Sequence, residues 1–329
     1  MTKQSLSLAG WATALLTLAG TALADIKLNE NFSVSGYISG SVFQQEDDLA
    51  GGGSADDSFM DVDAVKLTSI ATFEQVTGTV SLHTFNTSDL VVLDAYATYS
   101  LAGGSSITVG KFLSYLGYEA FDYPNMLQIS YANNSGFSGY IPAYHSGVRY
   151  DFSGEGVSGG IAVLDSVNPG AGYWKGDGDL DNGAGFEAYL KFSKGDSALF
   201  AGVAFDDGAN LTNDDLFTFD LWAQTKVGGV TLAAEYAYSQ LDTPLAETDG
   251  YFWLLLAMGN INDKWTITGR LSGGEEEAAG NAEYIKYTVS PAVTLTPNLG
   301  VLFEYSYIDY KNYVKDSTSF VAAQVIFKF

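Results

Sequence analysis

The sequence contains no cysteine, only two histidines and few basic residues. Without cysteine, the chain has neither a disulfide framework nor a thiolate metal site. Its 15 Lys and Arg against 39 Asp and Glu give a net charge of −24, which excludes a nucleic-acid partner because phosphate binding requires cations. Many hydrolases use a histidine to activate a nucleophile or water. His83 and His145 are the only histidines. His83 has Ser81 on the same face, two residues away, but no evident third group, so we predict that the chain is not an enzyme and keep catalysis as the less favoured alternative.

Long hydrophobic runs are also missing beyond residue 24. The longest run covers residues 251–258, whereas a membrane helix needs about 18 apolar residues or more. The pattern excludes a helical membrane protein. Nevertheless, 47% of the residues are hydrophobic and 14% are aromatic. These residues must therefore be distributed in a pattern that run length does not reveal.

The first 24 residues have the features of a secretory signal peptide. They contain one cation, Lys3, then an apolar stretch from residue 6 to 23, and a small-x-small ending at Ala22 and Ala24. This pattern predicts cleavage after Ala24; the alternative is a retained N-terminal anchor, for which the apolar stretch is rather short. The mature chain would then be residues 25–329.

Alternating apolar and polar residues run through the rest of the chain. In residues 230–239, for example, Val230, Leu232 and Tyr236 alternate with polar residues, as in a half-buried strand. A second example has one predicted apolar face made of Val91, Leu93, Ala95, Ala97, Tyr99 and Leu101. In total the pattern predicts about 16 strands, at 30–45, 58–73, 76–86, 89–101, 106–113, 143–152, 157–165, 184–192, 197–206, 215–226, 229–240, 249–259, 264–272, 283–295, 299–310 and 318–329.

The links between these segments alternate in length. Tight links such as 102–105 and 227–229 alternate with links that are mostly longer, acidic and Gly-rich, at 46–58, 114–142, 166–183 and 273–282. Short turns at one end and long loops at the other are typical of outer-membrane barrels. We predict an all-β, transmembrane, antiparallel up-and-down β-barrel of about 16 strands, within a range of 14 to 18. A soluble secreted β-sandwich, whose strands also alternate, is the alternative.

Aromatic residues near strand ends predict two girdles at the membrane interfaces. The predicted girdle residues are Tyr37, Phe43, Tyr144, Tyr150, Tyr251, Trp253, Phe327, Phe329 and those from 305 to 310. The last strand has one apolar face, formed by Val321, Ala323, Val325, Phe327 and Phe329. It should pair with the first strand, because an open edge in lipid leaves backbone groups without partners. Its terminal Phe resembles the signature by which the barrel-assembly machinery of Gram-negative bacteria recognises outer-membrane proteins.

A motif around the longest link narrows the family. The stretches GKFLSYLGYEAFDYPN and YIPAYHSGVRY carry it, at Gly110, Lys111, Phe112, Gly117, Tyr118, Glu119, Asp122, Pro124, Pro142, His145, Ser146, Gly147 and Val148. This pattern resembles the β-barrel porins of the OmpL-like type, and residues 295–299 and 304–307 are similar too. The resemblance implies a Gram-negative outer-membrane porin, for which a homotrimer would be typical.

A barrel of this size leaves an aqueous channel, and the polar face of each strand would line it. The resulting pore-lining candidates on strands are Lys66, Asp94, His145, Arg149, Glu187, Lys191, Asp220, Glu235, Arg270, Lys286 and Glu304. Opposed rings of such charges tune selectivity. The loop 114–142 is the candidate constriction, through Tyr115, Tyr118, Glu119, Asp122, Tyr123 and Tyr131; a loop that only covers the mouth is the alternative.

The surplus acidic residues lie mainly in the loops and predict a weak preference for cations. We expect passive diffusion of small hydrophilic solutes and ions, with outer-membrane lipid and lipopolysaccharide as surroundings. A structural or adhesive barrel without an open pore is the alternative. We expect no cofactor, although the segment 176–183 could bind Ca²⁺ adventitiously; its sequence lacks the Gly and Glu that an EF-hand requires.

Overall fold

The computed structural model describes residues 26–85, 89–133, 141–167, 180–208, 214–243, 247–277 and 280–329. These residues form a closed antiparallel β-barrel of 16 strands, preceded by a two-residue strand that pairs with the first barrel strand. The predicted fold class is therefore confirmed. The predicted signal peptide, residues 1–24, lies outside the described residues.

The barrel strands match the predicted segments to within a few residues at either end. The strands are β1 (Ile26–Lys27), β2 (Phe32–Leu49), β3 (Ser54–Phe73), β4 (Val76–Phe85), β5 (Asp89–Ser100), β6 (Ser105–Leu113), β7 (Tyr144–Gly154), β8 (Val157–Leu164), β9 (Gly185–Lys194), β10 (Ser197–Asp206), β11 (Asp215–Val227), β12 (Val230–Asp242), β13 (Glu247–Asn260), β14 (Trp265–Glu276), β15 (Ala282–Thr296), β16 (Leu299–Lys311) and β17 (Lys315–Lys328). Two short 3-10 helices cover Ala102–Gly104 and Tyr123–Asn125. No helix in the described part of the chain is long and apolar enough to cross a membrane.

The ring closes where the last strand meets the first barrel strand. β17 pairs with β2 from Lys328 opposite Tyr37 to Lys315 opposite Leu49. Beyond the strand, Phe329 donates its N–H to the Gly36 carbonyl at 3.0 Å and accepts the Gly36 N–H at 2.8 Å. This closure gives the backbone partners that lipid cannot supply. The predicted pairing of the last strand with the first is confirmed.

The two ends of the barrel differ as the link lengths predict. At one end, tight turns use glycine in left-handed conformations, as between β11 and β12, where Gly228 and Gly229 have φ of 56° and 87°. At the other end lie the longer links, including the one from β6 to β7. However, the long loops predicted at 46–58 and 273–282 are wrong, because residues 46–49, 54–58 and 273–276 continue strands and leave only short links. By analogy with outer-membrane barrels, the short turns face the periplasm and the long loops face the outside.

Along β7, side chains alternate between the exterior and the interior of the barrel. On β7, Val148 and Tyr150 are exposed on the outside, whereas Arg149 and Asp151 point inward and are partly buried. An apolar exterior and a polar interior follow from the period of two, because successive side chains leave a strand on opposite faces.

The apolar face predicted for residues 91–101 is wrong, because a β-bulge divides β5. Val80 pairs with Ala95 and Leu82 pairs with Val92, so Leu93 and Asp94 together oppose Ser81. A bulge of this kind reverses which face the following residues occupy. Val91 and Leu93 are therefore buried inside, while Tyr99 is exposed on the outside.

The predicted aromatic girdles are only partly correct. Tyr150, Tyr305 and Phe327 are exposed on the exterior, as predicted. Tyr37 and Tyr144 are instead 1% and 2% exposed and lie inside the barrel. Both contact aromatic residues of the β6–β7 loop, at ring-centroid distances of 6.1 Å (Tyr37 to Tyr123) and 5.1 Å (Tyr144 to Phe121).

Candidate functional site

The link between β6 and β7 enters the barrel. Of this link the structure describes residues 114–133 and 141–143, and we call residues 114–133 the inner loop. Its Tyr118 is 1% exposed and packs edge-on against Trp222 at 5.5 Å between ring centroids. The part of the predicted constriction segment from 134 to 140 lies outside the described residues.

One side of the barrel binds the inner loop through a charge cluster on β2, β3 and β5. The Lys66 ammonium donates to both Asp122 carboxylate oxygens, at 2.9 and 3.0 Å, and lies 3.3 Å from Asp94. The Tyr37 hydroxyl donates to Asp122 at 3.3 Å and lies 3.1 Å from Nε2 of His83. Lys66 and Asp94 were both predicted to face the interior, and both do.

The opposite side binds the inner loop through two acids that accept backbone N–H groups. Asp220 accepts from Gly117 at 2.7 Å, and Glu235 accepts from Tyr118 at 2.7 Å. β3 and β11 are eight strands apart in the ring, so Lys66 and Asp220 lie across the barrel from each other. Gly117 suits this place because its φ is +103° and a Cβ there would approach Ile141 to 2.9 Å. The inner loop therefore spans the interior.

A third set of contacts comes from β14, β15 and β16. Arg270 forms an ion pair with Glu119 and donates to the Ser130 carbonyl at 2.9 Å. Lys286 donates to the Ser130 hydroxyl at 2.7 Å. Glu304 accepts the N–H groups of Ile129 and Ser130, at 2.6 and 3.0 Å. All three of these strand residues are nearly fully buried.

The start of the inner loop is held by β7 and β9. Glu187 accepts the Ser114 hydroxyl at 2.6 Å and the Tyr115 N–H at 3.2 Å, and its other neighbour is His145 Nε2 at 3.5 Å. His145, a predicted lining residue, thus lies at the base of the loop.

The two remaining predicted cations lie against aromatic rings. The Arg149 guanidinium is 3.3 Å from Asp151 and 4.5 Å from the centre of the Phe112 ring, with Tyr115 at 5.5 Å. The Lys191 ammonium lies 5.4 Å from the centre of the Trp222 ring. Such positions favour a cation because ring faces carry negative potential.

An apolar wall completes the surroundings of the inner loop. β13 is apolar on both faces, and its inward residues Phe252, Leu254 and Leu256 form one cluster with Tyr118 and Trp222. Burial raises the pKa of the Tyr118 phenol and raises that of Tyr123 to about 12. Both phenols therefore stay neutral at ordinary pH.

The predicted lining residues do face the interior, but their arrangement differs from the prediction. Opposed rings of charge across open water were expected. Instead, most of these charges bind the inner loop, because a loop that enters the barrel brings its own carboxylates and backbone groups to the wall. Sequence reasoning missed Tyr37 and Ser130 as partners in these contacts; the unusual placement of a Tyr at a polar position of β2 was the available signal for Tyr37.

The predicted insertion signature lies on the exterior of β17. Val321, Val325 and Phe327 are exposed, and Ala323 shares their face. Phe327 and Phe329 are 5.9 Å apart between ring centroids. Recognition of this strand by an assembly machinery stays a prediction.

The candidate calcium segment, 176–183, is described only from residue 180 onward. Among the described residues, no three His, Asp or Glu side chains are arranged to hold a metal ion. The cofactor prediction stays a prediction.

Comparison with known proteins gives a family match and structural matches. The family model described as beta-barrel porin-2, OmpL-like, matches residues 64–329. A comparison with curated protein sequences finds no match.

Several solved porins have the same fold. The anion-selective porin of Comamonas acidovorans aligns with a TM-score of 0.69 and 12% identity, over 91% of this chain and 99% of that one. OmpF of Salmonella typhi, in complex with daunomycin, gives 0.66 and 15%, over 93% and 100%. The trimer form of Vibrio cholerae OmpT gives 0.59 and 14%, over 91% and 100%. At these identities the similarity shows the fold alone.

Proposed function

The chain belongs to the OmpL-like β-barrel porin-2 family of the Gram-negative outer membrane, and we propose that it forms a water-filled channel for passive diffusion of small hydrophilic solutes and ions. The inner loop is the observation that carries this proposal. It crosses a barrel wide enough for a channel and is bound from opposite sides by Lys66 and Asp220. A loop in this position narrows the path and sets the size of the solutes that pass.

Single-channel recording in a planar bilayer tests the proposal. The processed protein, residues 25–329, should give discrete ohmic steps, and deletion of residues 120–138 should give larger ones. Deletion of residues 50–53, in the hairpin between β2 and β3, is the control and should leave the conductance unchanged. Equal conductance of the 120–138 deletion and the parent protein would refute the constriction.

A weak cation preference is part of the same proposal. Acidic residues crowd the loop end of the barrel, and clusters of one sign raise the local concentration of the opposite ion. The Comamonas acidovorans porin is anion-selective, but at 12% identity its selectivity does not transfer to this chain.

A barrel without an open pore is the second candidate. The observation that favours it is the burial of wall charges under the inner loop: Asp220 is 0% exposed and Glu304 is 2% exposed. In that case the barrel would serve as a structural or adhesive element. Correctly inserted protein that stays electrically silent would support this candidate over the channel.

We further infer that the chain is not an enzyme and that it assembles with partners typical of porins. Both histidines contact groups that hold the inner loop, Tyr37 in the case of His83 and Glu187 in the case of His145. A homotrimer is supported by the trimer form of the Vibrio cholerae OmpT structure. Lipopolysaccharide and the barrel-assembly machinery are the other proposed partners.

A further inference from the structure

The hairpin of β2 and β3 extends beyond the neighbouring strands. β3 pairs with β2 from Ala71 to Ser54, but its pairing with β4 ends at Ala64 opposite Phe85. Within the described part of the chain, residues 54–62 therefore pair with β2 only, and Asp63 is the extra residue of a β-bulge between Val62 and Ala64. We call residues 54–63 the open edge.

The open edge lies at and above the outer boundary of the membrane. The outward residues of the hairpin change from Val42 and Met60, which are apolar, to Glu46 and Asp56, which face each other across the two strands. Met60 is 80% exposed. Lipid does not tolerate an unpaired edge, so the free backbone groups must meet water or another polypeptide. One of them, the Val62 N–H, is bonded by the neighbouring Asp61 carboxylate at 2.7 Å.

An unpaired strand is a template for another extended chain. On this edge, Asp56, Asp57 and Asp61 are exposed, and they alternate with Ser58 and with the apolar Phe59 and Met60. A strand added here would place its side chains beside these residues. Lysine or arginine would be favoured beside the aspartates and apolar side chains beside Phe59 and Met60.

We propose that the open edge binds an extended, cationic polypeptide segment from the cell exterior by adding it as a further β-strand. A second copy of this chain is a poorer occupant, because two such edges would bring their aspartates together and like charges across strands repel. The proposal is independent of the pore, since it involves the hairpin and not the lumen.

Binding of short synthetic peptides to the full-length processed protein in nanodiscs tests this proposal. The probe is a peptide of alternating lysine and valine, and the readout is affinity together with hydrogen exchange of the amides in residues 54–63. We expect binding and slower exchange of those amides. The same peptide N-methylated at alternate residues keeps its charge but loses backbone donors, and should bind roughly tenfold more weakly or worse.

Charge variants separate recognition at the edge from general attraction to an acidic surface. Asp56→Asn with Asp57→Asn should weaken peptide binding. The matched control is Glu275→Gln with Glu283→Gln, because Glu275 and Glu283 face each other at the same end of β14 and β15 and each also pairs with a residue on its other side, Tyr251 and Lys311 respectively. This control should bind the peptide as the parent protein does.

Three results would overturn the proposal. Equal binding of the N-methylated peptide would mean electrostatic adsorption without strand addition. If the amides of residues 54–63 exchange slowly without peptide, and still more slowly at higher protein concentration, then a second copy of the chain is the occupant. If the peptide does not bind, the aspartates serve only to keep the open edge solvated.

Discussion

At the residue scale, the buried charges Lys66, Arg270 and Glu304 hold the inner loop through partners that are distant in the sequence. Alternation within one strand is enough to place Lys66, Arg270 and Glu304 inside. Their partners Asp122, Glu119 and Ser130 are 56, 151 and 174 positions away in the sequence. Local periodicity carries no information about contacts at such separations, which depend on how the inner loop enters the barrel.

The ion pair between Lys66 and Asp122 leads to a testable prediction about the attachment of the inner loop. In Asp122→Asn, the amide keeps the size of the side chain but loses its charge, so the attachment of the inner loop to β3 weakens. A hydrogen bond to a charged group contributes about 1.5–3 kcal/mol, equivalent to a roughly ten- to hundredfold change in the ratio of attached to detached loop. We expect noisier and larger single-channel currents.

Glu283→Gln serves as the control for that variant. Glu283 pairs with Lys311 at 3.0 Å on the outside of the barrel, so its neutralisation removes one charge and one ion pair without touching the inner loop. Channel currents should then match those of the parent protein. If Asp122→Asn behaves like this control, the ion pair does not hold the loop.

At the element scale, two departures from alternation marked the site. Residues 251–258, the longest apolar run, belong to β13, which faces lipid on one side and the inner loop on the other. A strand covered on both faces is apolar on both. The β-bulge in β5 also places apolar side chains on the inner face of the barrel, because it turns Val91 and Leu93 inward. The apolar run at 251–258 was visible in the sequence. The β-bulge in β5 was not, because the residue that it inserts does not change the local pattern where the residues on both faces are apolar.

Leu254 and Leu255 are adjacent residues on opposite faces of β13, and we predict that their truncation has different effects on the inner loop. Leu254 is 0% exposed and shares a cluster with Tyr118, and truncation of a buried leucine costs about 2–5 kcal/mol. Leu254→Ala should therefore loosen the inner loop, seen as faster hydrogen exchange of the Gly117 and Tyr118 amides. Leu255→Ala is the control, because Leu255 is 53% exposed on the exterior, where lipid can fill the space. Equal exchange in the two variants would contradict the role assigned to this wall.

At the scale of the whole molecule, the architecture was readable because a barrel is the sum of many weak but consistent signals. Sixteen segments of alternation, two classes of link and an apolar last strand each allow other folds, but together they require closure in lipid. The extension of β2 and β3 beyond the neighbouring strands could not be predicted from the sequence. Residues 46–57 are acidic enough to resemble a loop, and their pairing depends on the strand opposite, not on their own propensity.

The distribution of charge along the barrel axis supports the last prediction. The two described cations at the loop end, Lys311 and Lys315, are both paired with acids, Glu283 and Asp47. The unbalanced acids nearby should make the channel prefer potassium over chloride in a salt gradient. The preference should fade between 0.01 M and 1 M salt, because the Debye length falls from about 30 Å to about 3 Å.

Matched double variants locate the source of this preference. Asp56→Asn with Asp57→Asn removes two charges from the loop end and should move the reversal potential toward zero. Glu74→Gln with Glu155→Gln removes two charges from the short turns at the other end and should move it less, because the acids are concentrated at the loop end. A reversal potential that favours chloride would contradict the preference itself. Equal shifts in the two variants would assign it to the net charge of the molecule, since a field that depends on position along the axis cannot respond equally to charges removed at opposite ends.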